Sequence, residues 1–229
     1  MEKKVNREHV FLWVRKMIVL VLGVTIMSFG GVFCVKSQIG LAPATVVPYT
    51  LNCVFPSISF GTFTSLMNIA LIFLQILILR KKFKVWQLLQ FIVALLFGVT
   101  VDLAVFCMQN FSVSTYFAKW ICTVIGAVLV AVGIAFEILS ESIPAPSDST
   151  VKTISAALGK QFGNVKTVYD CIHVIVAVSI SLIGLGTVVA IREGTLFLAL
   201  FTGTLVKIFT KHLVWIKKYT TVQPKVISE

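Results

Sequence analysis

Six apolar runs constrain this chain more than any other feature. They cover residues 17–35, 61–79, 86–107, 120–140, 166–186 and 194–212. A bilayer core of about 30 Å takes about 20 helical residues to cross. Backbone N–H and C=O groups in lipid must be satisfied within the segment, so each run is expected to be helical. Only 13% of the 229 residues are charged and the mean hydropathy is +0.98. A soluble domain carries about 25% charged residues. The expected class is an all-α membrane protein with six transmembrane helices.

The formal net charge of +11 would suggest nucleic acid in a soluble protein. Here cytoplasmic loops rich in Lys and Arg account for it. No basic surface is left for nucleic acid, and that partner is excluded. The N-terminal "MEKKVNREHVFLWVRK" resembles a signal n-region. The run behind it is long and no small-residue cleavage site follows, so it is expected to be a retained first span.

Two shorter stretches stand between the runs. Residues 41–56 carry three prolines and residues 143–160 carry two. Each opens on Pro with Ser, Thr or Asp nearby, as helices start. Neither is long enough to cross comfortably, and either a re-entrant hairpin or a broken helix fits. Charge favours return to the starting side. Seventeen Lys and Arg then share one face with both termini, including the Arg80–Lys84 cluster, and only Lys36, Lys119 and Arg192 lie opposite. By the positive-inside rule both termini are cytoplasmic.

The two halves repeat. Gly23 and Gly30 match Gly126 and Gly133; "GLAP" at 40–43 matches "IPAP" at 143–146. Phe60-Gly61 matches Phe162-Gly163, Asn68 matches Asp170, and Gly98 matches Gly203. The offset stays near 103 residues. The expected organisation is a cytoplasmic segment 1–16, membrane repeats 17–110 and 111–212, and a cytoplasmic tail 213–229. Three crossings per repeat make the second copy enter from the opposite side. Such inverted repeats are typical of secondary transporters.

"GLAPATVVPYTLNCVFPSISFGTFTSLMNIALIFLQILILRKKF", "GKQFGNVKTVYDCIHV" and "AIREGTLFLALFTGTLVKIF" resemble the YczE/YyaS/YitT-type bacterial integral membrane proteins, over nearly the whole chain. The resemblance implies a bacterial plasma-membrane protein of few, tightly packed helices. It supplies no binding residues. Where members of that family often carry a Gly-rich stretch, this chain has "APSDST" at 145–150, which points to a different substrate if that stretch touches ligand.

Candidate functional residues follow from polarity inside apolar runs. Asp170 and His173 share a helix face at i and i+3, as a proton relay or cation pair; the structural alternative pairs Asp170 with Lys166. Asp102 and Glu137 are further candidates for proton or ion coupling. The structural alternative is an end-of-helix charge for Asp102, and for Glu137, on a face running into the 143–160 stretch, a pairing with the inner lysines. Thr45, Ser147, Ser149 and Thr150 are candidate substrate-binding residues, because the starts of the Pro-led helices carry free N–H groups. Asn68 and Asp170 join them as repeat mates expected to point toward the shared axis. The Arg192-Glu193 pair reads as a structural helix start.

The five cysteines lack metal or redox spacing and read as buried small hydrophobes. No catalytic motif, metal cluster or cofactor signature is present, and no enzyme activity is expected. The expected function is a small-molecule transporter or permease acting by alternating access on an unknown small polar ligand. The alternatives are a non-transporting membrane partner or assembly factor, or the substrate-capture subunit of a larger importer. Besides the lipid bilayer, the partners in view are a second copy of the chain or another membrane protein.

Overall fold

The computed structural model describes residues 2–220, with side chains from residue 10 onward. Within them the chain forms nine α-helices and no strand: α1 (Glu2–Ser37), α2 (Pro43–Val54), α3 (Phe60–Leu79), α4 (Gln90–Cys107), α5 (Tyr116–Ser140), α6 (Pro146–Leu158), α7 (Phe162–Leu185), α8 (Glu193–His212) and α9 (Lys217–Thr220). Six of them are long and apolar enough to cross a membrane, and they coincide with the six runs. Boundaries differ where no breaker stops a helix. α1 extends through residues 2–16, so the expected cytoplasmic segment continues the first helix. α7 starts at Phe162, because its first turn is helical although polar. Residues 221–229 of the expected tail lie outside the described residues.

Glycines set the closest contacts. α1 and α5 cross antiparallel, with Gly23 against Gly133 and Gly30 against Gly126. A Cβ on Gly30 would sit 2.8 Å from the Gly126 carbonyl oxygen, and one on Gly133 would sit 2.6 Å from the Gly23 oxygen. Helix packing in lipid gains little from the hydrophobic effect, so close backbone approach through small residues supplies van der Waals contact instead. α3 and α4 also pack antiparallel, with Gly61 against Gly98 and the Ser65 hydroxyl donating to the Ala94 carbonyl at 3.1 Å. α4 runs parallel to α1, joined by a buried Ser28–Thr100 hydroxyl pair at 2.7 Å.

Pro43 and Pro146 each occupy the first turn of a short helix, where the missing N–H costs nothing. The last turn of α2 lies at the end of the bundle where α1 stops, against the end of α7. The approach to α2 is clamped to the start of α8. Gly194 N–H donates to the Ile39 carbonyl at 2.7 Å, and Leu41 N–H donates to the Ala190 carbonyl at 3.1 Å. Gly40 makes that clamp possible: its φ of +137° is open to glycine, and its Cα lies against Thr195. At its far end α2 packs Val54 on Gly184, near the last turn of α7. α6 connects the end of α5 to the start of α7 at the opposite end of the bundle. It closes on Gly159 at φ +63°.

The apolar interior lies between these layers. One cluster joins Cys34, Val46, Val47, Ala127, Ala177 and Leu198, and so ties α1, α2, α5, α7 and α8 together. Another joins Leu71 of α3, Val151 of α6, and Val165 and Tyr169 of α7. α9 folds back under α5, where the Thr220 hydroxyl donates to the Leu139 carbonyl at 2.9 Å and Lys217 pairs with Glu141 at 3.1 Å.

Candidate functional site

Polar side chains collect at two places, one at each end of the bundle. The first surrounds the start of α6. Gln75 of α3 and Gln90 of α4 are fully buried there, and the Gln75 amide donates to the Gln90 side-chain oxygen at 3.2 Å. The Gln75 amide nitrogen also lies 3.2 Å from the Pro146 carbonyl and 3.1 Å from the Thr150 hydroxyl. Gln90 donates to Ser149 at 3.4 Å. Glu137, on the last turns of α5, is buried and accepts the Ala145 N–H at 2.7 Å. A carboxylate there answers one of the unpaired amides of a helix start and faces its positive end. Ser147 reaches the Tyr169 hydroxyl at 3.4 Å. The Gln75 side-chain oxygen is buried and has no partner among the described residues, an acceptor that a water or a ligand donor would answer.

Ser147, Ser149, Thr150 and Glu137 thus share one polar layer. Sequence reasoning missed three of its members, Gln75, Gln90 and Tyr169. The two glutamines carried a signal, since each is an amide inside an apolar run.

The second place is a cavity of about 370 Å³ at the end where α1 stops. Lys36, Tyr49, Asn52, Ser59 and Asp102 supply its polar lining, and Val32, Val35, Phe60 and Val105 its apolar lining. Asp102 lies on α4 but caps α3: its carboxylate accepts the Gly61 N–H at 2.7 Å and the Ser59 hydroxyl at 2.6 Å. Ser59 in turn accepts the Thr62 N–H at 3.0 Å. Of the predicted site residues only Asp102 lines this cavity.

The remaining predicted residues stand elsewhere. Thr45 donates to the Ala42 carbonyl at 3.0 Å and serves its own helix start. Asn68 bonds back to the Thr64 carbonyl at 3.0 Å. Asp170 pairs with Lys166 one turn earlier, at 2.5 Å. His173 turns from Asp170: its Nδ1 meets the Tyr169 carbonyl at 2.8 Å, and its ring lies 4.1 Å from the Tyr169 ring. No hydrogen bond joins Asp170 to His173. Among the described residues no three His, Cys, Asp or Glu side chains gather as metal ligands.

The family model described as "Family of unknown function (DUF6198)" matches residues 14–211. The chain is also similar to "Uncharacterized protein YyaS" of Bacillus subtilis (strain 168), 24% identical over 182 residues, covering 79% of this chain and 89% of that protein. The resemblance to YyaS-type proteins read from the sequence therefore holds over most of the chain. No solved structure matches.

Proposed function

The chain belongs to the DUF6198 family of unknown function, and from that premise we propose that this multi-pass membrane protein is a transporter or permease for a small polar solute. In this reading it sits in the bacterial plasma membrane with both termini cytoplasmic. It works by alternating access between two inverted repeats, α1–α4 and α5–α8, and performs no chemistry on its solute.

The observation that carries the proposal is the α1–α5 crossing. Gly23 meets Gly133 and Gly30 meets Gly126. Exchanging each glycine for its counterpart in the other half turns the first contact into the second. A two-fold axis lying in the membrane plane generates that reciprocity. Two further contacts support the same axis. The start of α4 binds the start of α6 through Gln90 and Ser149, while the start of α8 binds the approach to α2 through Thr195 and Leu41. α2 packs on α7 as α6 packs on α3.

The halves differ in one respect, and alternating access supplies the reason. α3 and α4 are locked together, whereas Gly163 and Gly203, the counterparts of Gly61 and Gly98, face open space on the side where a Cβ would stand. A transporter caught in one state has one repeat closed and the other open. In the opposite state α7 would close on α8. Glu137, buried at the start of α6, is then the acid best placed to couple a proton or ion to that motion.

Cysteines at Thr167 and Ala199, the counterparts of the Ser65–Ala94 contact, test this in a background lacking the native cysteines. Alternating access requires that the pair cross-link in liposomes and that the cross-link stop solute flux. A pair that never cross-links, while a Ser65/Ala94 pair does, removes the proposal. A second reading, a non-transporting membrane partner, draws on the sparsely covered faces of α7 and α8. It predicts no flux at all and co-purification of another membrane protein.

A further inference from the structure

The cavity beside Asp102 carries a ligand class. Its volume of about 370 Å³ falls within the range of small-molecule pockets, about 300–1,000 Å³. Charge in its wall is unequal in effect. Asp102 is already answered by the Ser59 hydroxyl and the Gly61 N–H, and it stands at the positive end of α3. Lys36 has no carboxylate within ion-pair distance among the described residues. Among the described residues its ammonium donates to the Gln109 carbonyl at 3.3 Å.

Other polar groups in the wall keep a donor free. Asn52 Nδ2 gives one of its two protons to the Ile58 carbonyl at 2.8 Å and keeps the other. Gln38, also in the wall, has its oxygen occupied by Lys119 at 3.0 Å. With Asp102 answered by Ser59 and Gly61, the charge left for a ligand to meet is the Lys36 ammonium. The remaining wall of Val32, Val35, Phe60 and Val105 is apolar and takes a hydrocarbon body.

We propose that this cavity binds a small carboxylate with an apolar body, its head on Lys36 and Asn52 and its body against Val32, Val35 and Val105. The inference rests on the transporter reading for its purpose, since it names the class of solute carried. It rests on the cavity alone for its binding. A cavity at the edge of a bilayer can draw a carboxylate from water or from the fatty acids of the membrane. The head-group chemistry is the same, and chain length separates the sources.

The test is calorimetric titration of the full chain in nanodiscs of zwitterionic lipid with pentanoate, pentanamide and dodecanoate. Pentanoate is expected to bind saturably and pentanamide at least about tenfold more weakly, the loss carried by one hydrogen bond to a charged group. Lys36→Gln is expected to weaken pentanoate by a similar factor, and Lys36→Arg to keep it. Val105→Trp, which fills the cavity without touching charge, is expected to abolish binding. Melting curves of each variant separate lost binding from lost fold. Dodecanoate binding tighter than pentanoate, with the same dependence on Lys36, upholds the carboxylate site and assigns it to membrane fatty acid. Equal binding of pentanoate and pentanamide, or Lys36→Gln binding as well as the unaltered chain, overturns the inference. Flux in liposomes is read separately. Binding without flux keeps this site and sinks the transporter reading, and flux of other solutes without pentanoate binding does the reverse.

Discussion

At the scale of single residues, similar side chains carry different duties here. Asp102 and Asp170 are both acids in apolar runs, where an unpaired charge at the centre of a span costs about 2.5–3.5 kcal/mol on insertion scales. Asp102 spends its charge on the start of another helix, through two short bonds. Asp102→Ala leaves the Gly61 amide without its partner and is expected to cost about 1–2 kcal/mol, read as a lower melting temperature in detergent. Asp170 spends its charge on Lys166 of its own helix, a pair of the kind worth about 0.3–0.5 kcal/mol when exposed. Asp170→Asn is expected to leave the melting temperature nearly unchanged. A large drop for Asp170→Asn, or none for Asp102→Ala, would reverse these assignments.

At the scale of elements, glycines at matching places in the two halves of the sequence are packed unequally. Gly61 and Gly98 let α3 and α4 touch through their backbones. Added methyl groups there force the helices apart, and overpacking of that sort costs about 1–3 kcal/mol. Gly98→Ala is therefore expected to lower the melting temperature. Gly203 has open space around it, so Gly203→Ala gains the helix propensity of alanine, up to about 1 kcal/mol. The two substitutions are expected to shift stability in opposite directions. Shifts of the same sign and size would mean that α7 and α8 are packed together in the membrane.

At the scale of the whole molecule, the crossing count is the property to check. α1 and α5 run antiparallel, and α2 starts against α8 and ends near the last turn of α7. With both termini cytoplasmic, as proposed, single cysteines at Ser57, Gln109 and Thr187 are expected to label from the outside of intact cells with an impermeant maleimide. Cysteines at Lys82 and Lys160 are expected to label only after the membrane is opened. Labelling of Lys82 from outside would contradict the proposed topology, with either α2 crossing or the termini facing outward.

Much of this was legible in the sequence. Six runs of about 20 apolar residues leave few alternatives to six helices, because lipid offers no partner to an open backbone group. The Pro-led segments and the repeated glycines marked where helices would start and approach. The sequence also marked Ser147, Ser149 and Thr150 as polar residues at one helix start, and Glu137 as an acid inside an apolar run. What it left open was the partner of each polar group. Helical periodicity places a residue on a face of its own helix but does not name the helix opposite. The pairing of Gln75 with Thr150, the capping of α3 by Asp102, and the cavity between Lys36 and Asn52 each join residues distant along the chain. So does the difference between the α3–α4 and α7–α8 pairs, which share the same glycines. Their separation was decided by which backbones come into van der Waals contact, and only the tertiary structure fixes that.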